Sequence, residues 1–141
     1  MRTLVVLGFS AVLGIFSDST GASEKAFTGD FEGTGRACSG ELRVRTKTLE
    51  WRSSFSTCTP AHYEVLERSA HGSMERIVFR LKKRSSQCRY PVIEAARTSD
   101  YGWNVTGYQS LEGFQKKELP DWSNSPLPDR QVLSCPMTKT R

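Results

Sequence analysis

The chain has 141 residues, with 20 lysines and arginines against 15 aspartates and glutamates, for a formal net charge of +5. That length suits one domain after loss of a leader, and neither a low-complexity tract nor a repeat of solenoid or propeller period is present. The moderate positive charge bears on solubility and on anionic partners, and carries no information about the fold.

Met1 and Arg2 precede the apolar run Thr3–Phe16, and a small, polar stretch follows to Ser23. This is the layout of a secretory signal peptide. The run falls short of the roughly 20 residues that a spanning helix needs, so the segment reads as cleavable. Cleavage after Ala22 would leave residues 23–141 as a single β domain, periplasmic or secreted, with no transmembrane segment after processing. No cysteine lies near the cleavage site for lipidation. Export gives meaning to the four cysteines, Cys38, Cys58, Cys88 and Cys135, because an even count in a short exported chain predicts two disulfides.

Phe27–Gly40 contains four glycines and two aromatics, which suits a strand that bends sharply or closely approaches other backbone. Leu42 and Val44 then alternate with arginines, and Leu49 and Trp51 alternate with Glu50 and Arg52. The spacing predicts a hairpin with Val44 opposite Leu49 and Leu42 opposite Trp51.

Residues 59–71 carry two signals. Thr59-Pro60 opens a helix well, Gly72 would stop one, and Ala61, Val65, Leu66 and Ala70 could form its apolar stripe. Ile77, Phe79 and Leu81 alternate beyond the break at His71–Ser73, which instead predicts a hairpin with Tyr63 and Val65 as partners. The hairpin is preferred, and a single short helix at 59–71 is the competing reading.

Tyr90–Ala95 reads as extended with Pro91 at its start or edge, and Trp103, Val105 and Tyr108 as a further strand. Leu111–Phe114 is read as another short strand. Residues 116–130 contain three prolines and are expected to form a long loop, before a last strand at 131–135. The sum is a mainly β domain of about seven or eight short strands, as a disulfide-stapled antiparallel barrel or a sandwich.

Four cysteines allow three connectivities. Turning the second hairpin at Gly72–Ser73 sets Cys58 and Cys88 at its open end and leaves Cys38 with Cys135. The pairing Cys38–Cys58 with Cys88–Cys135 is nearly as symmetric, about Thr48. The first is preferred.

Chemistry is sparse. No nucleophile elbow, zincin or phosphate-loop motif occurs, so no catalytic residue or cofactor site is assigned and a non-enzymatic role is expected. No CxxC pair exists and His62 and His71 lie far apart in sequence, so no metal site is expected. Asp30 and Glu32 would share one strand face, a geometry that suits either a solvated surface or a carboxylate pair. Two features stand out. Arg80, Lys82, Lys83, Arg84 and Arg89 concentrate positive charge around one strand end and loop, as a guard against edge pairing or as a patch for an anionic partner. Trp122 sits in the proline-rich segment, either as a lid on the barrel mouth or as an interface anchor.

The final segment Asp129-Arg130-Gln131-Val132-Leu133-Ser134-Cys135, together with the leader and the small all-β domain, is similar to the periplasmic lysozyme-inhibitor barrels of bacteria. The likeness covers only the terminal stretch and the architecture, so it implies no site residues. Basic charge opposes it, because common animal-type lysozymes are themselves basic. The leading expectation is an exported binding module whose basic patch meets an anionic envelope component, a lipid head group or an acidic glycan, with no nucleic acid. The alternative is a lysozyme-inhibitor-like or immunity-type factor that occludes an exported enzyme.

Overall fold

A computed structural model describes residues 25–141, and the expected signal segment lies outside the described residues. The chain closes into an antiparallel barrel of eight strands in sequence order, with the first paired to the last. The strands are β1 (Gly29–Gly33), β2 (Gly40–Val44), β3 (Thr48–Ser53), β4 (Ser56–His71), β5 (Met74–Leu81), β6 (Val92–Arg97), β7 (Gly102–Tyr108) and β8 (Val132–Lys139). Closure leaves no long free edge, which is how a small β domain avoids pairing with other chains.

Alternation decides what faces inward. Phe31, Leu42, Val44, Leu49 and Trp51 project into the barrel from β1–β3, and Ile77, Phe79, Ile93, Trp103 and Val105 fill it from β5–β7. The expected first-hairpin register is observed, with Leu42 opposite Trp51 and Val44 opposite Leu49. Tyr63 and Val65 oppose Leu81 and Phe79, also as expected.

Residues 59–71 are strand throughout, so the helical reading of this stretch is corrected. Its apolar stripe is produced by irregular pairing. The β4–β5 register shifts between Val65 and Glu67, and Leu66 joins an apolar cluster on the barrel's outer wall. A bulge that reverses which residues face inward breaks period two, and the resulting pattern imitates a helix. A second shift, in the β3–β4 register, places Pro60 between Cys58 and Ala61, where a missing donor is tolerated.

Three expectations downstream of β7 are also corrected. Leu111–Phe114 is not a strand but the start of a short helix, α1 (Leu111–Lys116), capped by the Ser110 hydroxyl, which accepts from Gly113 N at 2.9 Å. The proline-rich stretch holds a 3-10 turn at Trp122–Asn124 and a helical turn, α2 (Leu127–Arg130). The last strand runs past Pro136 to Lys139. Pro136 is accommodated because the β1–β8 ladder reaches only from Met137 to Lys139, so no partner on that side needs its donor.

α1 covers the outer wall, where Phe114 packs with Val78, Val92 and Tyr108. Burial first, and then the Glu94 carboxylate, pushes the Tyr108 phenol up to about 12. In an alkaline absorbance titration the Tyr108 phenol should therefore ionise in a late step, at about 12. The folded state favours the neutral phenol, so this contribution to stability is complete below the ordinary value of 10 and is lost as pH rises from there through about 12. A single titration step near 10 for all tyrosines would contradict the buried placement.

Both disulfides form as preferred, Cys38–Cys135 and Cys58–Cys88. They staple one end of the barrel, called here the disulfide end, where the β1–β2, β3–β4 and β5–β6 connections lie. Among the described residues, no helix is long and apolar enough to cross a membrane.

Candidate functional site: a basic rim at the disulfide end

The β4–β5 ladder ends at Tyr63 opposite Leu81. Beyond it the chain bows away from β4 and returns at Cys88. Lys82 N donates to His62 O at 2.9 Å on one side of the opening. On the other side Thr57 N donates to Gln87 O at 3.1 Å, Ser85 Oγ donates to Thr57 O at 3.0 Å, and the Cys58–Cys88 bridge locks the return. The loop is therefore fixed at both ends by bonds to a single strand.

A cleft of about 610 Å³ occupies the opening. Pro60 and Ala61 give it an apolar side, flanked by Thr59 and His62, and Lys82, Lys83 and Arg84 supply the opposite wall. A second cleft of about 570 Å³ shares Arg84 with the first and adds Arg89, between Gln109 and Gln131. A third of about 340 Å³ shares Arg89 and Ser86 with the second and reaches Phe55 on the β3–β4 turn. The three form one continuous rim, and none of their lining residues is a carboxylate.

The cations elsewhere on the barrel are mostly neutralised. Arg45 meets Asp30 at 2.7 Å, Arg43 meets Glu41 at 2.7 Å, and Arg76 bridges Glu67 and Glu94. Among the described residues no carboxylate comes within ion-pair distance of Lys82, Lys83, Arg84 or Arg89, all of which are exposed. Of the five basic residues singled out in the sequence, the structure brings these four together. Arg80 stands apart, 3.5 Å from Glu64.

The other candidates are dispersed. Trp122 is half-buried on its 3-10 turn and lines none of the three clefts. His62 is in the first cleft and His71 is at the exposed β4–β5 turn, so they do not meet. Among the described residues no three of His, Cys, Asp and Glu are grouped to hold a metal ion. Asp30 and Glu32 do lie together, in a separate cleft with Arg43, Arg45 and Arg141. The Arg45 hydrogen bond holds the Asp30 carboxyl below its ordinary value. A general acid at neutral pH needs the opposite shift, so this pair has the character of a surface ion cluster.

Sequence reading missed the β4 side of the cleft and Phe55. Only the Cys58–Cys88 pairing, which flanks both, signalled that they would meet the basic loop. Searches of protein-family models, curated proteins and solved structures return no match to this chain.

Proposed function

We propose that the protein is an exported, non-enzymatic binding module that engages an anionic partner through the rim formed by Lys82, Lys83, Arg84 and Arg89. The observation that carries this reading is the contrast between these exposed, unneutralised cations, gathered on one rim, and the rest of the barrel, where most arginines are paired. Four like charges along one carboxylate-free groove repel one another. An anion relieves that repulsion, and its binding weakens with salt because the charges face solvent. The two disulfides fit a periplasmic or extracellular setting.

The test is retention on a dextran sulfate resin under a salt gradient. Lys82→Glu with Lys83→Glu should elute well before the parent, with the slope of log affinity against log salt reduced by about 2. Lys25→Glu with Lys47→Glu, which changes net charge equally at the opposite end, should shift elution much less. Equal shifts would mean that net charge alone governs retention, and the rim would lose its role. The inhibitor reading predicts something different: one exported protein captured in fixed ratio, insensitive to these reversals and weakened by Trp122→Ala.

A further inference from the structure

We infer that the anionic partner is a lipid surface, with Phe55 as the apolar element that enters it; this rests on the anion-binding reading above. Phe55 is 63% exposed at the tip of the β3–β4 turn. It shares a cleft with Arg89. The juxtaposition is held in place, because Arg89 N donates to the Ser56 hydroxyl at 3.0 Å, next to Phe55 in the chain. Two residues beyond Ser56 and one before Arg89, the Cys58–Cys88 bridge clamps the same two segments.

The arrangement is that of an interfacial anchor, an apolar side chain beside several cations on one face. The spacing of the charges favours lipid over a rigid ligand. Lys82, Lys83, Arg84 and Arg89 are spread over adjacent clefts rather than converging on one point, so no compact anion meets all of them. Head groups in a fluid leaflet can move to meet each cation separately, while the ring loses its contact with water among the acyl chains. A soluble polyanion would use the cations and leave Phe55 exposed.

Neither element suffices alone. Each cation near an anionic leaflet contributes about fivefold in affinity. Entry of the ring adds at least about tenfold. Together they give reversible, salt-sensitive binding rather than permanent anchoring.

The test is sedimentation of the full oxidised protein with vesicles of phosphatidylcholine containing phosphatidylglycerol, with pure phosphatidylcholine as reference. The parent should bind the mixed vesicles and not the reference. Phe55→Ser should weaken vesicle binding about tenfold while leaving dextran sulfate elution unchanged. Lys83→Glu with Arg84→Glu should weaken both. In a Phe55→Trp variant that keeps the parent's circular dichroism, emission should shift to shorter wavelength when mixed vesicles are added, beyond any shift of the parent's own three tryptophans. Retention on dextran sulfate without vesicle binding, or vesicle binding indifferent to Phe55→Ser, overturns the lipid inference and leaves the anion-binding reading standing. Failure to bind either probe overturns both.

Discussion

Replacing Cys38 and Cys135 together by serine should remove about 4–5 kcal/mol of stability, more than the corresponding change at Cys58 and Cys88, for which about 3–4 kcal/mol is expected. The difference follows from loop length. The first bridge joins positions 97 apart and the second joins positions 30 apart, and a longer closed loop restricts the unfolded chain more. Topology adds to it. The seam between β1 and β8 has only three opposed residue pairs, against seven between β7 and β8, so the Cys38–Cys135 bridge secures the weakest join in the barrel. Urea unfolding of the two double variants measures the order directly. A domain of this size has about 5–15 kcal/mol in total, so the seam variant should lose from about a third to nearly all of it. The reverse order would show that the seam is held by its strands alone.

Gly40→Ala should cost about 2–5 kcal/mol. Gly40 has φ +143°, a conformation that side-chain-bearing residues rarely adopt, and an added Cβ would overlap the carbonyl oxygen of Arg52 on β3. Strain and backbone collision act together there. Gly35 separates them, since its φ of +98° is also positive but an added Cβ meets nothing within 4 Å. Gly35→Ala should therefore lose only about 1 kcal/mol. Thermal melting of the two variants distinguishes collision from conformational strain, and equal losses would show that backbone conformation alone matters.

These glycines show what could be read from sequence. The density of glycine between Phe27 and Gly40 signalled close backbone approach, and Gly40 lies against Arg52 as that signal implied. Alternation in Leu42–Trp51 was sufficient for the register of the first hairpin because both of its strands are regular. It was ambiguous in β4, where shifted pairing displaces the apolar positions. α1 was hidden by Gly113, a poor helix former retained because a Cβ there would strike the Asp129 carbonyl. The basic rim was legible only where it is local. Lys82, Lys83 and Arg84 are adjacent in the chain, so their charge was obvious. Pro60, Ala61 and Phe55 reach them only through barrel closure and a disulfide, which a linear reading does not resolve.

The pairing of β1 with β8 has a consequence for orientation. Asp30 N donates to Arg141 O at 3.1 Å and Thr140 N donates to Asp30 O at 2.8 Å, so the chain enters and leaves the barrel side by side. That place is the pole opposite the basic rim. A tether attached where the barrel's two ends meet would present Phe55 and the cations of the rim outward, as a plug presents its contacts from the end of a cable.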